Sequence, residues 1–424
     1  MSTVAKQKQS HPPIVAGLQA TPIPLFGCST QQRILFNAIP QSVEPFLMQA
    51  GQIPGNRVES SELASVLTTE LRNNSTTASD SFIARLFPID RAPFIIEGES
   101  NSRIFKDLSK AGLWNIKKQV FESIAYTESG MGAWLNKIGD SMVKIYGHPL
   151  KRVWWHGTRN LPPGGAPIIR KPDLVLLAEN YHKAIKENPQ RVDWRRIRSF
   201  AEVTTEKSMP PRMEPTINAK SFLSFLLQFD RRFATALSFC SSGQYAFTLT
   251  DREGQICYNS SLKSSGLENA QRFLTILAFL MFGDDSVIGL DPHFIRDGAD
   301  RLVAINMDNK RYELGDRIYA VDSLLGRGTN VWIVTHEDKQ FILKDSWVLG
   351  DLVESEIVHL QAMKEHSKIN SRVPIFVDGG DVEINGITDS TANYRGQGLI
   401  GYHHNQRVHR RIVTGPVGIP LTRF

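Results

Sequence analysis

The chain has 424 residues, 41% hydrophobic and 22% charged, with a formal net charge of +6; that is enough for two or three domains with sizeable cores. No stretch approaches the roughly 18 apolar residues of a membrane span, and three cysteines, Cys28, Cys240 and Cys257, are too few and too scattered for a disulfide framework or a zinc site. With an N-terminus that lacks the charged-then-apolar signal pattern, these features predict an intracellular, reducing setting, exclude a membrane partner, and leave nucleic acid open as a partner on charge alone.

Residues 1–55 are rich in Gln, Pro and Ser and read as a disordered or loosely packed arm. VESSELASVLTTELRNN then carries helical spacing, and NNSTTASDS reads as a linker. Between 103 and 145 the period is helical again, with Phe121, Ile124, Trp134, Leu135, Ile138 and Met142 placed to suit a helix pair. The period then changes: RVWWHG, KPDLVLLAE and WRRIRSFAEVT predict three strands between Pro/Gly turns. AKSFLSFLLQFDRRFATALSFC predicts a helix running into a strand. YAFTLTDREGQICYNS predicts a hairpin around DREG, and LENAQRFLTILAFLMFG a buried helix. RLVAINMDNKRYEL is a second hairpin, turning at MDNK. The basic runs DWRRIRSF (193–200) and RVHRRIV (407–413) read as solvated faces rather than binding stripes, and Asp291 in GLDPHF as a turn residue.

The most informative stretch is LLGRGTNVWIVTHEDKQFILKDSW, residues 324–347. YAVDSLL, VWIVTH and QFILKDSW predict strands, with GRGTN as a glycine turn whose backbone can approach a phosphate without a Cβ in the way. Lys344 falls in an apolar strand, where a lysine snorkels or meets an anion. DLVESEIVHLQAMKEH predicts a helix with Asp351 as N-cap and Glu354 completing a capping box. Leu352, Val353, Ile357, Leu360 and Met363 form its apolar stripe, and Glu356 falls inside that stripe. A carboxylate there is costly unless paired, which makes Glu356 the natural partner of Lys344. VPIFVDG, VEING and HRRIVTG supply three further strands.

Glycine loop, strand lysine and helix glutamate in that order are the parts of a protein-kinase small lobe. With KDSW, TDSTANYRG and the closing GPVGIPLTRF, and upstream RKPDLVLL, RRFATALSFC, TDREG and GLDPHFI, the chain from about residue 100 to 424 resembles the fungal-type protein kinase family. The resemblance implies a Ser/Thr-type phosphotransferase using ATP and Mg²⁺. Gly326, Arg327, Gly328 and Thr329 would cover the phosphates, Lys344 would hold the α- and β-phosphates, Glu356 would orient the lysine, and Ile333 and Ile342 complete the cofactor-binding set. The sequence departs from the kinase pattern at Val331, in place of the loop's third glycine, and at Ile342, in place of a small residue over the adenine. The catalytic His-Arg-Asp loop and metal-binding Asp-Phe-Gly belong beyond the last segment, where this sequence stops. HRR (409–411) has no aspartate, and DGG (378–380) reads as a turn between strands. The expectation is therefore a kinase-like protein inactive alone, a pseudokinase, or a small lobe completed by a partner, with a protein as substrate.

A second pattern lies upstream. Asp173 in KPD and Glu202 in FAEVT sit where restriction-endonuclease-like nucleases hold a metal with two acidic groups and a lysine. Thr204 stands in the lysine's place, Lys207 lies three positions on, and Glu122 and Glu128 are helical candidates. The expected fold is α+β in three parts. An arm covers 1–55. A helical then α/β region covers 56–310, with the nuclease-like core at about 100–210. A kinase-like small lobe of antiparallel sheet plus one helix covers 311–424, its large lobe absent. The alternative functions are a nucleic-acid-associated module on that degenerate nuclease-like core, or a non-catalytic scaffold.

Overall fold

The computed structural model describes residues 60–72, 74–99, 102–157, 162–188, 191–321, 323–350, 355–366, 373–395 and 406–418. The arm expected at 1–55 lies outside them. Helix α1 (Ser60–Leu71) is followed by strand β1 (Ser75–Ala78), in the segment expected to be a linker. STTA has no apolar alternation; a neighbour sets its conformation, because β1 pairs in parallel with residues 255–258. Helices α2 (Asp80–Leu86) and α3 (Arg103–Lys110) come next. The helix pair expected over 103–145 is interrupted by a small hairpin, β2 (Trp114–Asn115) and β3 (Val120–Phe121), after Gly112 turns the chain at φ 71°. Helix α4 (Glu128–Tyr146) starts on Thr127, whose hydroxyl accepts from Gly130 N at 3.1 Å, and stops at Gly147 in the left-handed region.

Strands β4 (Arg152–Trp155) and β5 (Leu174–Ala178), helix α5 (Glu179–Glu187), strand β6 (Ile197–Thr204), helix α6 (Met213–Leu227), strands β7 (Ala234–Cys240), β8 (Gln244–Thr250) and β9 (Gln255–Ser261), and helix α7 (Leu267–Phe282) follow. The first sheet has seven strands in the order β1-β9-β8-β7-β6-β5-β4. The pair β6/β7 is parallel, with α6 as its crossover; the neighbouring pairs are antiparallel. Side chains alternate across the sheet. Leu174, Leu176, Leu237 and Phe247 join α4 and α7 in one core, while Val175, Leu177, Phe200 and Ala236 join α6 and α1 in the other. Helix α7 is buried almost all round from Phe273 to Phe282, as its uninterrupted apolar run requires.

The second sheet begins at β10 (Phe294–Arg296) and β11 (Leu302–Met307), which turns at Asp308 and Asn309, both at positive φ, into β12 (Lys310–Ala320). Strands β13 (Asn330–His336) and β14 (Lys339–Leu349) come next, then helix α8 (Glu356–Glu365), strand β15 (Ile375–Asp381), the short hairpin of β16 (Glu383–Ile384) and β17 (Ile387–Thr388), helix α9 (Thr391–Arg395) and strand β18 (Arg407–Gly415). The order is β10-β11-β12-β13-β14-β18-β15, and every pairing is antiparallel. The architecture is α+β. YAVDSLL contributes only its first two residues to a strand, and DGG is no turn: Asp378–Gly380 is a bulged part of β15, where a Cβ on Gly379 would lie 2.2 Å from the Arg411 carbonyl oxygen. Among the described residues no helix is long and apolar enough to cross a membrane.

Charged side chains join the two sheets. Arg232, after α6, grips Asp389 with two nitrogens at 2.9 and 3.0 Å. Asp389 also receives His409 Nδ1 at 2.9 Å, and His409 Nε2 meets Asp345 at 2.8 Å. Arg411 lies 3.0 Å from Asp345 and bonds Asp291. All six side chains are at least nine-tenths buried. Nearby, Arg395 is held by Asp251 at 2.9 and 2.5 Å with both groups fully buried. The run RVHRRIV is thus not a solvated face, since His409 and Arg411 point into the joint. In DWRRIRSF, Arg198 is buried against Asp300, and Asp291 is an ion-pair member as well as a turn residue.

A histidine with a carboxylate at each ring nitrogen donates from both and is held as imidazolium. Burial alone disfavours that charge, but Asp345 and Asp389 outweigh it and raise His409 from 6.5 to about 9. The sign follows from a folded-state value above the unfolded one: this stabilisation is full below pH 6.5 and lost as pH rises through about 9. Urea unfolding in steps from pH 6 to 10 should show that decline, and His409→Gln should flatten it. Asp389→Ala leaves Arg232 and His409 buried with one partner fewer and should cost about 3–5 kcal/mol; a loss under about 1 kcal/mol would contradict the role given to the joint.

Candidate functional site

Strand β14 places consecutive side chains on opposite faces. Leu343, Asp345 and Trp347 turn toward the first sheet, and Ile342 and Lys344 turn away from it. On the outward face, Ile342 sits opposite Ile333 and Lys344 opposite Val331. All four are half-buried, so a small apolar strip ends at an ammonium group.

Helix α8 brings the counter-charge. Ser355 caps it, its hydroxyl accepting from Val358 N at 3.3 Å. The expected cap, Asp351, and its box partner Glu354 lie outside the described residues, as do Leu352 and Val353. The helix starts at Glu356, with Ser355 supplying the first acceptor. Glu356 Oε2 lies 2.5 Å from Lys344 Nζ and 3.8 Å from Arg327. The lysine side chain is 25% exposed and the glutamate 41%, so the pair is reachable from solvent. Beside it is a cavity of 460 Å³, lined by Arg327, Glu356, His359, Arg407 and Arg410 among others. Arg410 is paired with Asp381 at 2.6 Å, and Arg407 donates to the Trp347 carbonyl at 3.3 Å.

The glycine loop lies between β12 and β13. Gly326 and Gly328 both have positive φ, 98° and 48°. The Arg327 carbonyl accepts from Trp347 N at 2.7 Å, the Thr329 carbonyl accepts from Val321 N at 3.0 Å, and the Thr329 side chain is buried. The structure therefore gathers Arg327, Lys344 and Glu356 around one point and lines Ile333 and Ile342 beside it.

On the first sheet, Asp173 and Glu202 also come together. Glu202 Oε1 accepts from Asp173 N at 3.4 Å, and Asp173 Oδ2 accepts from Val203 N at 2.8 Å. Lys207 is exposed beyond the end of β6 and takes no part. The lysine that reaches Glu202 is Lys220 of α6, buried with it. Burial, reinforced by Asp173 and opposed by Lys220, pushes Glu202 up to about 7; burial also lowers Lys220, against the pull of Glu202. Asp173 is raised by burial. Glu128 pairs with Lys171 at 2.8 Å, and Glu122 accepts from Asn115 at 2.7 Å. Among the described residues no three of His, Cys, Asp and Glu are placed to hold a metal ion. The structure thus brings together two carboxylates and one lysine, the lysine coming from α6 and bonded to Glu202.

The sequence signal for Lys220 is a lone lysine in the apolar run NAKSFLSFLL, a residue type rarely buried unless paired. Asp389 and Arg395 gave less, since the Arg232 and Asp251 that they pair with lie more than 140 residues away.

Residues 171–424, more than half of the chain, match the family model described as Fungal protein kinase. The chain belongs to the fungal protein kinase family. No curated protein and no solved structure matches it. In this fungal protein kinase chain the match opens at Lys171, so it takes in β5 through β9 and the Asp173–Glu202 pair as well as the whole second sheet.

Lys220→Ala would leave Glu202 buried without its cation and should cost about 3–5 kcal/mol, whereas Lys220→Met with Glu202→Leu should recover most of it. Guanidinium unfolding of both variants reads the difference. Equal losses would mean that the pair is not a simple structural ion pair.

Proposed function

We propose that this chain binds ATP on the outward face of the second sheet, as the small lobe of a kinase-like protein. The observation that carries the reading is the 2.5 Å contact between Lys344 on β14 and Glu356 on α8, beside the glycine loop. In kinase-type sites such a lysine holds the α- and β-phosphates and the glutamate fixes the lysine. Ile333 and Ile342 offer an apolar strip for the base, with Val331 beside the lysine. Gly326, Arg327, Gly328 and Thr329 border the phosphate end, Arg327 adding a second cation 3.8 Å from Glu356. The residues present therefore suit a nucleotide's phosphates and base.

They do not by themselves suit transfer to a Ser/Thr hydroxyl. That chemistry also needs a base for the acceptor proton and ligands for Mg²⁺, an Asp and an Asn in kinases, and the described residues gathered around Lys344 and Glu356 include neither. We therefore read the chain as a nucleotide-binding lobe that acts as a pseudokinase or with a partner supplying the missing groups, the acceptor being a protein. The Asp173–Glu202 contact favours a second reading, a nucleic-acid-associated module on a degenerate nuclease-like core, its lysine supplied by α6 instead of the strand. Its mark would be steeply salt-dependent DNA affinity with no nucleotide effect.

Thermal denaturation tests the first reading. ATP at 100-fold over its dissociation constant should add about 2.7 kcal/mol, and Lys344→Ala should abolish the shift without lowering the melting point of the protein alone by more than a few degrees, since the pair is half-exposed. An unchanged shift in Lys344→Ala would refute the assignment.

A further inference from the structure

The glycine loop does not stand free over the nucleotide face. Arg252, in the DREG turn between β8 and β9 of the first sheet, donates through Nη1 to the carbonyl oxygens of Ser323 at 2.8 Å and Leu324 at 3.2 Å. The Arg252 carbonyl in turn accepts from Gly326 N at 2.9 Å, and Glu70 of α1 accepts from Leu325 N at 2.7 Å. The Leu324 side chain is fully buried, in the cluster that holds Leu67 and Leu71 of α1 and Phe222 of α6. The Arg252 guanidinium lies over the Phe225 ring at 4.3 Å, and a Cβ on Gly328 would come within 2.4 Å of its central carbon.

Glycine at 328 is thus explained by the close passage of Arg252. The amide of Gly326, which opens the glycine turn, and that of Leu325 just before it are spent on groups of the first sheet and its helix. A loop that cradles phosphates must offer amides to them, and these two are not available while the contacts last.

We infer that the first sheet's DREG turn and helix α1 latch the glycine loop in a restrained position through Arg252, Glu70 and the buried Leu324, and that the latch holds nucleotide affinity down until it opens. A competent state populated only in part weakens apparent binding by that fraction. The inhibitory half rests on the nucleotide reading above; the latch itself does not.

Arg252 is buried and its removal would threaten the fold, so the test uses Leu324→Ala and Glu70→Ala in the full chain, with circular dichroism to show that folding is kept. Hydrogen exchange on the 323–329 segment reads the latch without nucleotide, and calorimetry with ATP reads its effect. The segment should be protected in the parent chain and exchange at least about tenfold faster in both variants, with ATP binding tightened roughly three- to tenfold. Fast exchange of the segment in the parent chain would overturn the latch. Protection released by the variants with ATP affinity unchanged or weakened would overturn its inhibitory role. Protection released with no ATP binding in any form would overturn the nucleotide reading and, with it, the inhibition.

Discussion

Arg232, His409 and Arg411 carry three positive charges into the joint between the two sheets, and Asp389, Asp345 and Asp291 meet them with three negative ones. None of these groups is tolerable there alone, since an unpaired buried charge costs several kcal/mol. The partners come from segments far apart in the chain: the end of α6, the turn before β10, strands β14 and β18, and the residues after β17. Satisfying all of them at once fixes how the second sheet sits on the first. Directional, charge-assisted bonds suit that task better than apolar contact, which is non-directional.

Strand β14 ties this joint to the candidate site. Asp345 faces the joint and Lys344, one residue earlier, faces the opposite side. Fixing the aspartate therefore fixes where the lysine emerges, and helix α8 needs only to bring Glu356 within reach. The same logic reaches the loop. DREG gives Asp251 to Arg395 and Arg252 to the glycine loop, so a turn of the first sheet acts on the second at two points. KDSW, TDSTANYRG, RRFATALSFC, GLDPHFI and TDREG, which carry the sequence resemblance, all have members in these contacts. The family match accordingly spans both sheets rather than the second alone.

Much of this was legible in the sequence where local rules decide. The apolar run of α7, the hairpins turning at DREG and at Asp308–Asn309, and the alternation that sets Lys344 toward Glu356 all follow from period and turn chemistry. The errors fall where a distant neighbour decides. Ser75–Ala78 is polar and became a strand only because β9 offers an edge. LeuLeu before GlyArgGly looked like strand and is an anchor, because its pocket is built by α1 and α6. A basic run on a strand reads the same whether water or an aspartate faces it, so His409 and Arg411 were assigned to solvent. Lys220 escaped because the nuclease pattern looks for its lysine on the strand, and the helix supplied it instead.

The central claim is that the outward face of β14, with Lys344 paired to Glu356, is where a nucleotide sits. A crystal structure of the full chain grown with a non-hydrolysable ATP analogue tests it most directly. The account predicts phosphate density within hydrogen-bond distance of Lys344 Nζ and the base along Ile333 and Ile342. Phosphates bound elsewhere, with the Lys344–Glu356 pair untouched, would contradict it.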